Sequence, residues 1–92
     1  MKLMDQEKID KAIQMGVPEH TVGALERYIN DRIPTGSFLN AVLCNDLVDA
    51  ISKADEQNLR AIPEIVKFIY NNIPMNSWRT EEKVREWLSD RK

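Results

Sequence analysis

An eleven-residue stretch of this 92-residue chain occurs twice, 40 positions apart. Tyr28-Ile29-Asn30-Asp31-Arg32-Ile33-Pro34-Thr35-Gly36-Ser37-Phe38 is matched by Phe68-Ile69-Tyr70-Asn71-Asn72-Ile73-Pro74-Met75-Asn76-Ser77-Trp78. Each proline drives the isoleucine before it, Ile33 or Ile73, out of helical geometry, so a helix must end there. Gly36 and Asn76 are residue types that tolerate positive φ, as a sharp re-entry into a next helix requires. Ser37 and Ser77 then offer hydroxyls to free amides. With no strand-like alternation of useful length, the chain is expected to be all-α: a compact bundle of about five helices with a pseudo-repeated helix, Ile-Pro turn, helix unit.

Periodicity places the helices. Asp5 to Gln14 carries Ile9, Ala12 and Ile13 on one side and is ended by Gly16. Pro18 suits the first turn of a second helix, with Val22, Leu25, Tyr28, Ile29 and Ile33 at helical spacing up to Pro34. Ser37 is expected to cap a central helix from Phe38 to Lys53. Its apolar arc, Leu39, Ala41, Leu43, Cys44, Leu47, Val48, Ala50 and Ile51, spans about half the circumference at about 100° per residue. Asp55 caps a fourth helix from Glu56 to about Asn72, with Leu59, Ile62, Val66, Ile69 and Ile73 on one stripe, and Pro63 must kink it or split it at Ile62. Thr80 caps the last, with Glu81 and Glu82 in its positive first turn and Val84, Trp87 and Leu88 on one face. The expected organisation is one domain, 1–92, with 1–16 a weakly attached N-terminal helix and 18–90 the core.

Composition narrows what such a bundle does. With 42% apolar and 30% charged residues the chain is too hydrophobic for disorder and too short for two cores. A net charge of −2 gives no global pull toward nucleic acid or anionic lipid. The best recognition-helix candidate, Phe38 to Lys53, carries Asp46 and Asp49 against one basic residue, which opposes entry into a DNA groove. Cys44 is the only cysteine and His20 the only histidine, so neither an internal disulfide nor a metal cluster is expected. His20 has no carboxylate at an informative spacing and Cys44 lies on the apolar arc, so the chain is not expected to be an enzyme or to use a cofactor. A single cysteine fits a reducing compartment. The lack of a long apolar run and the alternating charge of Met1 to Asp10 lead to the expectation of a cytoplasmic protein without membrane contact.

Two readings of the repeated turn stand side by side. In one it is punctuation between helices, which explains proline, glycine and serine completely. In the other, helix starts present free amides and partial positive charge to a phosphate or carboxylate, beside Phe38 or Trp78 for stacking and Arg79 or Arg32 for charge. The second reading defines the candidate ligand-binding residues: Gly36, Ser37, Phe38, Asn40, Tyr70, Asn71, Trp78 and Arg79. Asn40 falls within the apolar arc, where a capping-box-like bond three residues after Ser37 is the alternative to ligand contact. Asn71-Asn72 reads equally as C-terminal capping, and Tyr70 as a core residue with a wet hydroxyl. Phe38, Val42 and Phe68 project away from the apolar stripes and mark a second contact surface, against a neighbouring helix or another subunit.

Ile33-Pro34-Thr35-Gly36-Ser37-Phe38-Leu39, Ala41-Val42-Leu43, Asn45-Asp46-Leu47, Ala54-Asp55 with Asn58, Ile65-Val66, Tyr70-Asn71, Pro74 and Ser77-Trp78 resemble a family of small phage and prophage proteins. Its pattern reads I-P-x-G-S-F-L-x-A-V-L-x-N-D-L, then A-D-x-x-N, then Y-N-x-x-P and S-W. The resemblance covers about Ala24 to Leu88, and Arg79 stands where the pattern has a small residue. It implies a phage-encoded accessory protein acting in the cytoplasm of the host bacterium, without implying a chemistry. By analogy with small, acidic, helical phage proteins, the expected role is a counter-defence binder that sequesters a nucleotide-derived host immune signal. The alternative is a protein-protein inhibitor of a host defence complex, such as a CRISPR or nuclease system. Either tolerates a homo-oligomer, which would supply concavity that one small bundle lacks.

Overall fold

The computed structural model describes residues 2–89, and those residues form helices and turns with no strand. Seven α-helices follow one another: α1 (Gln6–Met15), α2 (Glu19–Asp31), α3 (Ser37–Leu43), α4 (Leu47–Lys53), α5 (Glu56–Arg60), α6 (Ile62–Asn72) and α7 (Glu81–Ser89), with a 3₁₀ turn at Met75–Ser77. About five were expected. The difference comes from two breaks.

The expected central helix divides at Asn45. Asn45 takes a left-handed φ of 64°, and the amides of Asn45 and Asp46 turn back to the carbonyls of Val42 and Ala41 at 3.0 and 2.9 Å. This is a Schellman closure with asparagine, the best non-glycine residue for it, in the left-handed position. Asp46 then caps α4 by accepting from the Asp49 amide at 3.2 Å. The second break lies at Ala61, one residue before the expected position. Its amide closes α5 on Asn58 O, and Pro63 sits in the first turn of α6, where its missing N–H costs nothing. Pro63 therefore splits the helix.

Both breaks rotate side chains away from the expected stripes. Leu47, Val48, Ile51, Leu59 and Val66 are exposed, as is Ile33, whereas Phe38, Val42 and Phe68 are buried. Phe68 joins Tyr28, Leu25, Ile29, Leu43, Ile65 and Ile69 in the centre of the core. The N-terminal segment meets α2 in a reciprocal clasp. The Met4 amide donates to Asn30 Oδ1 and Asn30 Nδ2 donates to Met4 O, both at 2.9 Å, and Met4 and Ala12 are fully buried.

The two copies of the repeat take different conformations. Gly36 has an ordinary φ of −69° in the N-cap position of α3, and Asn76 lies inside the 3₁₀ turn, so neither supplies the expected positive φ. Reversal falls to the residues before or after: Arg32 (φ 59°) closes α2, and Arg79 (φ 98°) follows Trp78. Arg79 thus takes a conformation that favours glycine. Ser37 is the first helical residue, not a side-chain cap, and Ser77 donates back to Pro74 O at 2.6 Å. Thr80 does cap α7, accepting from the Lys83 amide at 3.1 Å.

Tyr28 ties the copies together. Its hydroxyl donates to Ser77 O at 2.6 Å, its carbonyl accepts from Trp87 Nε1 at 2.9 Å, and Arg32 lies 3.4 Å over the Trp87 ring while donating to Trp87 O. None of the described helices is long and apolar enough to cross a membrane.

Candidate functional site

Six of the eight candidate residues fall into two separate groups, and Asn40 and Asn71 belong to neither. Gly36, Ser37 and Phe38 line a groove of about 240 Å³ together with His20, Thr21 and Ala24 of α2, Leu39 of α3 and Asn58 of α5. Tyr70, Trp78 and Arg79 gather elsewhere. The Tyr70 and Trp78 rings meet edge-on with centroids 6.4 Å apart, and the Arg79 guanidinium lies 5.0 Å from the Trp78 ring and 5.6 Å from that of Tyr70. Trp78 Nε1 and Arg79 Nε are buried there without a hydrogen-bond partner. Asn40 points to solvent from α3 with no side-chain hydrogen bond, so it neither completes a capping box nor lines the groove. Asn71 donates to Lys67 O at 2.9 Å on the surface of α6.

The groove owes its polar wall to residues that sequence reasoning passed over. Asp55 caps α5, accepting from the Asn58 amide at 2.7 Å. That cap fixes the first turn and sends the buried Asn58 side chain toward α2, where Thr21 Oγ1 donates to Asn58 Oδ1 at 2.6 Å. His20 Nε2 lies 3.3 Å from Asp55 Oδ2 and 3.3 Å from Asn58 Nδ2. Nε2 can serve only one of these contacts as drawn: with a proton on Nε2 it donates to the carboxylate, and with the proton on Nδ1 alone it accepts from the carboxamide. The Asp55-x-x-Asn58 capping spacing was the available signal for this wall. The partnership of His20 with Asp55, 35 positions apart, had none.

The groove is also lined by Ser37, whose hydroxyl makes no hydrogen bond within the described residues, and by the apolar side chains of Phe38, Ala24 and Leu39. The result is a shallow apolar slot with hydroxyl, carboxamide and imidazole groups on its rim, the mix by which small-molecule sites fix a ring and read its edge. Gly36 forms part of its lip. A Cβ there would meet nothing within 4 Å, so glycine is not demanded by space.

Elsewhere, burial shapes the titratable groups. The Tyr28 hydroxyl is pushed far above its ordinary range, first by burial and then by Cys44, with Arg32 opposing. Burial, Glu81 and Asp46 together raise the Cys44 thiol, which keeps it protonated and poorly nucleophilic. No group of three or more His, Cys, Asp or Glu side chains suited to a metal ion occurs among the described residues. Comparison of the chain with known protein families, curated proteins and solved structures finds no match.

Proposed function

We propose that this chain is a non-enzymatic binding protein of the phage counter-defence kind, which sequesters a nucleotide-derived ligand in the groove between α2, α3 and α5. The observation that carries the reading is that Ser37, Asn58, His20 and Phe38 line one groove. Phe38 offers an edge or face to a heteroaromatic base, and the three polar groups supply both donors and acceptors to its rim. Size limits the ligand. A groove of about 240 Å³ lies below the roughly 300–1,000 Å³ of drug-sized sites, so it takes one base with part of its sugar and leaves phosphate in solvent. A single nucleotide unit fits this better than a ligand clamped by both repeated turns, because Ser77 is buried and bonded internally. The phage setting is supported by the resemblance of the Ile33 to Trp78 pattern.

Thermal melting of the pure chain with nucleosides, mononucleotides, cyclic dinucleotides and ADP-ribose derivatives tests the proposal. A true ligand at 100 times its dissociation constant adds about 2.7 kcal/mol of stability. Ser37→Ala changes an exposed side chain with no hydrogen bond and should keep the melting temperature of the free protein while reducing the ligand-induced shift. Absence of a shift with every nucleotide class would reject the groove as a nucleotide site. A host protein recovered in stoichiometric complex after nucleotide removal would replace the proposal with protein-protein inhibition.

A further inference from the structure

We infer that Tyr70, Trp78 and Arg79 form a second binding site, sharing no residue with the groove, for a singly charged oxyanion: a carboxylate or a phosphate diester. Arg79 is its centre. The Arg79 amide donates to Leu43 O at 2.7 Å, and its φ of 98° is a backbone conformation that a residue with a side chain holds only under strain. From this position the guanidinium reaches 5.0 Å from the Trp78 ring and 5.6 Å from the Tyr70 ring, and the two rings meet edge-on. Two aromatic groups hold the cation in one place. Tyr70, 61% exposed, brings one of them to the surface.

What this arrangement lacks is an acceptor. Trp78 is 8% exposed, and its Nε1 is buried with no hydrogen-bond partner; Arg79 Nε, on the next residue, is buried and unpartnered as well. Each buried donor left unpaired costs about 1–3 kcal/mol, which a ligand that accepts from it recovers. Arg79 also makes no ion pair among the described residues, because Glu81, two positions on, is paired with Arg85 at 3.5 Å. The other stacked arginine provides the contrast. Arg32 also has a positive φ, 59°, and lies over Trp87, but it donates to Trp87 O while Trp87 Nε1 donates to Tyr28 O. That pair closes its bonds within the chain. The Arg79 and Trp78 pair has the same chemistry and no internal acceptor.

The donors define the ligand. An indole N–H and a guanidinium offer hydrogens only, so whatever completes them must accept. The flat fork of arginine matches the paired oxygens of a carboxylate or phosphate. Charge narrows the choice. Glu81 and Asp46 both act on the thiol of Cys44, the residue after Leu43, so negative charge already surrounds this end of α3 and opposes a doubly charged ligand.

Proton–nitrogen correlation NMR of the full chain tests the site at the atoms themselves. Sodium acetate and sodium dimethyl phosphate are titrated separately, with sodium chloride of equal ionic strength as control. The expected result is a saturable shift of the Trp78 and Arg79 Nε–H signals together, while Trp87 Nε1–H, already bonded to Tyr28 O, stays in place. The anion that saturates at the lower concentration identifies the class. Arg79→Lys keeps the charge but loses the fork and Nε–H, and should weaken binding read at Trp78 by about fivefold or more. Trp78→Phe should weaken binding read at Arg79 likewise. Shifts no larger than those in chloride, two signals that saturate at different concentrations, or an Arg79→Lys chain that binds as tightly as wild type would overturn the inference.

Discussion

Replacing Tyr28 by phenylalanine removes one oxygen from the centre of the molecule and tests the bond that joins the two halves of the fold. The ring is fully buried, and the lost hydroxyl is the donor to Ser77 O at 2.6 Å. Phenylalanine retains the packing and leaves a buried carbonyl without that donor, which costs about 1–3 kcal/mol. For a domain of this size each kcal/mol is worth about 4–8 °C of Tm, so the variant should melt at least about 4 °C lower. The pH dependence adds a second readout. Because the folded-state pKa of Tyr28 lies above the ordinary value of 10.0, its contribution is fully present below pH 10 and is lost as pH rises further, when the unfolded tyrosine ionises and the folded one does not. Above that point the wild-type chain loses up to about 1.4 kcal/mol per pH unit through this group, and the phenylalanine variant does not. Urea unfolding followed by tryptophan fluorescence should show a gap that is widest near neutral pH. The gap should narrow by about 1 kcal/mol by about pH 11. A variant within about 0.5 kcal/mol of wild type, or a gap constant with pH, would refute the account of Tyr28 as a protonated buried donor.

Two further outcomes follow from the breaks and the buried thiol. Asn45→Gly should leave stability within about 0.5 kcal/mol, because glycine accepts the left-handed turn, whereas Asn45→Val should cost about 1–2 kcal/mol in urea unfolding; equal effects would place the break elsewhere. Cys44 should alkylate with iodoacetamide at about pH 8.5 much more slowly in the folded chain than in urea, and Glu81→Gln should speed the folded reaction; an unchanged rate would remove Glu81 from the thiol's surroundings.

What was legible in the sequence was chiefly local. Asp55 and Thr80 cap the helices they were read to cap, and Gly16 ends α1, because each acts within four residues of itself; Asp5, read as the first helical residue, is instead the cap of α1. The break at Asn45 was hidden by the apolar periodicity running through it, although Asn45-Asp46 holds the two residue types that end one helix and start another. Once the break is unseen, the faces of α4 are assigned to the wrong side, and Leu47 and Val48 are counted as core. The burial of Phe38, Val42 and Phe68 depended on tertiary packing that no helical projection contains. At the groove, Gly36, Ser37 and Phe38 were recognisable from the turn. Thr21 and His20 were not, because their partners Asn58 and Asp55 come from another helix.

Arg32 sits where backbone and side chain make opposite demands. Its φ of 59° is a conformation in which glycine would rest more easily, yet its guanidinium covers the Trp87 ring at 3.4 Å and donates to the Trp87 carbonyl, fastening α2 to α7. Glycine would relax the turn and unfasten the helices; lysine would keep the charge while losing the flat, forked group that stacks and donates together. No single replacement meets both demands. A library of variants at this position should therefore have a narrow optimum at arginine, and second-site changes that rescue other residues at position 32 should map to α7, on the far side of the ring it covers.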